Sequence, residues 1–130
     1  MLKNQHYSDL VFKNVIRLAG EDQDIARRYK SLCKRAGGIF RTVGLVQFAT
    51  FIEAKGKKEK YYQWLSEHLQ RELNDVQAIK SSNSSEYLEK IRKLSLPDYM
   101  NMSRVVLQLL QWHKRIAEIL IEGTADEGDE

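Results

Sequence analysis

Three histidines, one cysteine and scattered carboxylates are the residues of this 130-residue chain with which metal, nucleophilic or acid–base chemistry could be done. A metal centre needs imidazole, thiolate or carboxylate ligands at spacings that bring them together. His6, His68 and His113 stand far apart, and none is paired with another histidine, a cysteine or a carboxylate in a familiar metal box. His113, in an amphipathic stretch beside Trp112, reads as a surface or core-edge histidine. Cys33 lies among Lys30, Lys34 and Arg35, cations that lower a thiol pKa. It also follows Leu32 near an apolar stripe and has no base partner, so it reads as a small buried filler. As the sole cysteine it excludes an intrachain disulfide and any zinc site built from paired cysteines. Glu53, Glu59, Glu67 and Glu72 have lysines or arginines nearby, the pattern of solvated ion pairs. General acid–base work needs a placed pair with divergent pKa values. Gly37-Gly38 lacks the Lys-Ser/Thr ending of a phosphate loop. The sequence therefore assigns no catalytic residue, no metal and no cofactor. A hydrolase site assembled from distant residues stays as an alternative that an activity screen would expose.

A different chemistry is concentrated in residues 27–60, where Arg27, Arg28, Lys30, Lys34, Arg35, Arg41, Lys55, Lys57, Lys58 and Lys60 face only two acids, Glu53 and Glu59. The formal net charge of +3 conceals this. All 21 basic residues but only 13 of the 18 acidic ones lie in residues 1–121, a balance of +8. A dense basic face recruits phosphate and releases counterions, which gives salt-dependent, sequence-independent nucleic-acid binding. The competing reading is a solvated face that serves solubility. Tyr61 and Tyr62 follow Lys60 and could stack on a base, although at least one must fill the core of its helix.

The elements that must position these residues are helical. Apolar residues recur at steps of three and four, proline occurs once, and no alternating run is long enough for a strand. The fold class is all-α: a compact single-domain bundle of about five to six helices with a buried central helix. It should span residues 1–121 and be followed by an acidic, disordered tail, 122–130. No apolar run approaches the ~20 residues of a membrane span. The start, Met1 to Gln5, lacks the apolar stretch of a secretory signal. A cytoplasmic protein without a membrane partner is expected.

The spacing predicts a first helix over about His6–Ala19, with Tyr7, Val11, Val15 and Leu18 on one stripe. A second helix starts in the cluster Glu21–Asp24, buries Ile25, Tyr29, Leu32 and Ala36, and stops at Gly37-Gly38. A third, about Ile39–Lys55, has little polar face and is the buried central helix, with Gly44 marking a close helix crossing. A fourth spans about Glu59–Ala78. Asn83 is suited to cap a short fifth helix, Glu86–Leu94. Pro97 marks a boundary, after which Asn101 or Ser103 would cap a last helix ending near Ile121. Its polar stripe is Arg104, Gln108, Gln111, Arg115 and Glu118; its apolar stripe is Val105, Leu109, Trp112, Ile116 and Ile119.

Beyond these patterns, the stretch Ala26-Arg27-Arg28-Tyr29-Lys30-Ser31-Leu32-Cys33-Lys34-Arg35, then Ile39, Gly44 to Phe51 and Lys55-Gly56-Lys57, resembles the Cmr small-subunit family. That family is the fifth subunit of type III-B CRISPR Cmr effector complexes. Tyr99, the run Leu107 to Leu110, Trp112, Lys114 and Arg115 resemble its closing helix. Order and spacing across Ala26–Ile121 carry the resemblance. One departure is Gly37-Gly38, where family members often have a proline, so the angle between the second and third helices stays open.

The resemblance implies a non-catalytic structural subunit that stacks in copies as a filament along guide RNA and its paired target RNA, beside other Cmr subunits. It makes Arg27, Arg28, Lys34, Arg35 and Arg41 candidates for an RNA-facing surface, with Lys30, Lys55, Lys57 and Lys58 added by the charge map. Phosphate contacts of this kind position a strand without reading its bases. The alternatives are a stand-alone nucleic-acid-binding module and a protein-interaction adaptor with a basic face.

Overall fold

The computed structural model describes residues 3–123, and these form five α-helices and one 3-10 turn: α1 Lys3–Ile16, the turn Arg17–Gly20, α2 Gln23–Gly56, α3 Lys60–Asp75, α4 Ser84–Arg92 and α5 Leu96–Leu120. The all-α expectation holds, and α2 is the spine of the bundle. It packs against α3, α4 and α5, while α1 lies on α5 and α3. Tyr7, Leu10, Val11 and Val15 bury one face of α1, and Leu18 continues it into the turn.

Three expected boundaries are corrected. Gly37-Gly38 does not end a helix: α2 runs through both glycines, because Leu32, Cys33, Ala36 and Phe40 form one continuous buried stripe across them. The break falls instead at Gly44, the one residue of α2 with non-helical angles (φ 85°, ψ 174°). A side chain is strongly disfavoured at that positive φ. Here the expected close crossing is also found. The Leu45 N–H freed by the bend donates to the Tyr99 hydroxyl of α5 at 3.2 Å. That hydroxyl stands 3.5 Å from where a Gly44 Cβ would be.

The second correction concerns Pro97. It lies in the first turn of α5, where its missing N–H costs nothing, and Ser95 rather than Asn101 or Ser103 is the cap. The α3 helix stops at Asp75 instead of Ala78, with Gln77 at φ 58° in the following turn. Asn83 caps α4 as expected, its side chain accepting from the Glu86 N–H at 2.9 Å.

Burial departs from the expected stripes on α2 and on α5. In the second half of α2, Phe40, Leu45, Phe48, Ala49 and Ile52 are buried, but Val43 and Phe51 reach solvent. On α5, Trp112 is only half-buried and Ile119 is 77% exposed. The buried face there is turned by one position toward Val106, Leu110 and His113. Of the expected acidic tail, Glu122 and Gly123 are held against α2, and residues 124–130 lie outside the described residues.

Candidate nucleic-acid interface

The basic residues of the sequence are divided among three places. Arg27 and Lys30 hold the end of α5. Lys30 Nζ donates to the carbonyls of Ile121 (2.8 Å) and Gly123 (2.9 Å), and Arg27 Nε donates to that of Glu122 (3.3 Å). Cations at the negative end of a helix dipole are stabilising there. Gly123, at φ 82°, admits the Arg27 side chain so closely that a Cβ would lie 2.7 Å from Nε. The next residue, Arg28, pairs with Asp24 one turn earlier at 3.6 Å.

Lys34 and Arg41 are exposed on the same face of α2 as Lys30, seven residues apart and therefore two turns from each other. They form one wall of a groove of about 420 Å³ whose other wall is Lys114 and Arg115 of α5. Gly37, Gly38 and Gln111 also line it, and Glu118 is the one acid of this described lining. Arg115 is steadied over the Trp112 ring at 5.7 Å. Arg35 lies outside this groove beside Ile39 and Val43, and its Nε is buried with no hydrogen-bond partner among the described residues.

The third group, Lys55, Lys57 and Lys58, sits at the opposite end of α2. Lys55 Nζ covers the Phe51 and Tyr62 rings at 5.9 Å from each centroid. Lys57 borders a separate polar cleft whose walls include Glu53 and Glu67. Lys114 and Arg115 are the groove residues that sequence reasoning did not select. Their basic pair beside a polar helical stripe is visible in the sequence, but its position opposite Lys34 and Arg41 depends on how α5 docks on α2.

Two of the groups expected to sit at the surface are inside, whereas Glu59 and Glu67 are exposed. His113 and Glu72 are both fully buried, which corrects the surface or core-edge reading of the one and the solvated ion-pair reading of the other. His113 Nε2 donates to the Glu72 carboxylate at 2.8 Å. Asn14 Nδ2 donates to the same carboxylate at 2.7 Å, and Arg71 Nη1 donates to Asn14 Oδ1 at 2.6 Å. On the far side of the ring, the Tyr29 hydroxyl lies 2.9 Å from His113 Nδ1 and 2.8 Å from His68 Nδ1. With one proton to give, Tyr29 donates to one imidazole and accepts from the other. The two imidazoles lie nearly parallel, with centroids 5.9 Å apart.

Four helices thus meet in one satisfied polar network, because helix-interior contacts bring together residues up to 84 positions apart. Burial, with the neighbouring His113, Arg71 and Arg17, lowers the His68 pKa to about 2. Burial also pushes the Cys33 thiol well up, reinforced by Glu72 and only partly opposed by a hydrogen bond to Tyr29. That environment suits a filler and not a nucleophile. His6 is exposed and apart from the others. Among the described residues no group of three or more His, Cys, Asp or Glu is arranged to hold a metal ion. Tyr61 and Tyr62 are both buried, so neither offers a free face for base stacking, which corrects that reading. No helix among the described residues is long and apolar enough to cross a membrane.

The molecule is thus a helical bundle whose buried polar side chains are bonded to one another in its core and whose cations line a groove between two helices. Comparison with known sequences makes this specific. The pattern of the family described as CRISPR-associated protein (Cas_Cmr5) matches residues 3–120, and the chain belongs to that family. Membership implies a subunit of a CRISPR Cmr complex. The chain is 28% identical over 94 residues to the CRISPR system Cmr subunit Cmr5 of Thermus thermophilus, covering 72% of this chain and 75% of that one. The crystal structure of a CRISPR-associated Cmr5 family protein from the same species, Thermus thermophilus, superposes with a TM-score of 0.77 at 22% identity. That match covers 94% of this chain and all of the other, and it bears on the fold.

Proposed function

We propose that this chain is a non-catalytic, RNA-contacting subunit of a type III-B Cmr effector ribonucleoprotein in the cytoplasm. Copies of it stack as a filament along guide RNA and paired target RNA, next to other Cmr subunits, with residues 1–121 as the folded unit. The observation that carries the RNA contact is the α2–α5 groove, where Lys34 and Arg41 face Lys114 and Arg115 and Glu118 is the one acid of the described lining. Phosphates held there would be positioned without base readout, and sequence would be read by guide pairing.

Of the residues selected from sequence, Lys34 and Arg41 stay as groove contacts. Arg27 and Lys30 are engaged by the carbonyls of Ile121, Glu122 and Gly123 just past α5, and Arg28, Arg35, Lys55, Lys57 and Lys58 would at most extend the positive field. The test is charge reversal at Lys34, Arg41, Lys114 and Arg115 in a complex reconstituted with its Cmr partners. RNA retention should fall, and its salt dependence should flatten by about one unit of slope for each phosphate no longer held. Unchanged retention would reject the RNA role and favour a protein adaptor. Tight binding of random RNA by the isolated parent chain would favour a stand-alone module, since a filament subunit draws its affinity from aligned copies.

A further inference from the structure

Gly37 and Gly38 lie inside a 34-residue helix with ordinary helical backbone angles. Each costs roughly 1 kcal/mol of helix stability relative to alanine. Other glycines of α2 have internal reasons to be glycine: Gly44 has a positive φ, and a Cβ on Gly56 would come within 3.0 Å of the Gln63 backbone. This pair has none. A methyl group on Gly38 would meet nothing within 4 Å, and one on Gly37 would make an ordinary 3.6 Å contact with the Arg41 guanidinium.

What the two glycines do border is the cation groove. They fall between Lys34 and Arg41, which are separated by about 10.5 Å along the helix axis. The bare stretch is therefore flanked by cations along α2 and faced across the groove by Lys114 and Arg115.

We propose that Gly37 and Gly38 form the contact floor for the sugar-phosphate backbone of one strand of the bound RNA. Without side chains, the floor lets the strand lie directly on α2, within reach of all four cations at once. Coulomb attraction falls with distance, so every methyl group that lifts the strand weakens several contacts together. The groove volume of about 420 Å³ is that of a small-molecule site and fits a short stretch of one strand's backbone. Small residues also suit helix crossings. A second copy of this same face is disfavoured as the occupant, because it would bring eight cations together around two acids.

This inference rests on the RNA reading, and the experiment separates the two. Gly37→Ala with Gly38→Ala, and separately Gly38→Leu, are introduced into the full chain. Thermal unfolding is measured on the chain, and retention of guide and target RNA on the reconstituted complex. The double alanine variant should unfold at a higher temperature than the parent yet retain RNA about threefold less well, and Gly38→Leu should retain it about tenfold less well. If Gly38→Leu fails to fold, the alanine variant, which gains helix propensity, still decides. Parent-like retention in the glycine variants, combined with reduced retention in the charge-reversed protein, overturns the contact floor and leaves the RNA reading intact. Parent-like retention in both overturns both. Unaltered retention with weakened association between neighbouring copies would make this face a protein interface and overturn the proposal.

Discussion

The polar centre of the bundle and the groove on its flank place polar side chains in opposite situations. Inside, Tyr29, His68, His113, Glu72 and Asn14 are buried and bonded to one another. Outside, Lys34, Arg41, Lys114 and Arg115 are exposed around a shared groove. A polar group whose bonds are completed within the chain holds the chain in shape. One whose charge is left facing a cleft is available to a partner. The contrast divides His68, His113 and Glu72, which look catalytic by residue type alone, from the groove lysines and arginines, which look merely soluble.

The division is open to attack from the inside first. Glu72→Ala leaves His113 and Asn14 without their acceptor in a dry core, and about 3–5 kcal/mol of stability should be lost, measured by denaturant unfolding. A parent-like midpoint would show that the network is incidental to the fold.

Acid should act through the same centre. The folded state holds His68 unprotonated down to about pH 2, whereas the unfolded chain takes up that proton near the ordinary histidine value of 6.5. Below that value the unfolded state binds more protons, so stability falls as pH falls. The contribution of His68 is a slope of up to about 1.4 kcal/mol per pH unit. In His68→Gln that part of the slope should disappear from unfolding curves recorded between about pH 6.5 and pH 4.

The groove should behave in the reverse manner. Charge reversal at Lys34 and Lys114 should lower RNA retention about tenfold while the unfolding midpoint stays within about 0.5 kcal/mol of the parent per substitution. A large drop in stability would mean that these side chains belong with the structural set. The smallest effect is expected at the bend in α2. Tyr99→Phe removes the acceptor of the Leu45 N–H and should cost about 1 kcal/mol, read as a modest shift in the unfolding midpoint.

Much of the fold was legible because amphipathic periodicity is a local property. Tyr7, Val11, Val15 and Leu18 share the buried face that their spacing predicts, and Asn83 caps α4. The misplaced break in α2 has an equally local cause. A Gly-Gly pair is a good helix terminus in isolation, yet the stripe through Ala36 and Phe40 carries the helix past it, and Tyr99, 54 residues downstream of Leu45, supports the bend at Gly44.

The candidate interface was half legible. Charge density pointed to α2, but the facing pair on α5 is a consequence of docking. The same docking converts Arg27 and Lys30 from surface cations into holders of the α5 end. The buried network was not legible at all, since Asn14, Tyr29, Glu72 and His113 come from four separate helices.

The hydrogen on His113 Nε2, enclosed with the Glu72 carboxylate where no solvent reaches, has a practical consequence. It must exchange with bulk solvent far more slowly than an open imidazole proton, so it should give a distinct downfield line in a proton NMR spectrum. That line would serve as an intrinsic probe of whether the helical joint stays closed, in the free chain and after assembly alike.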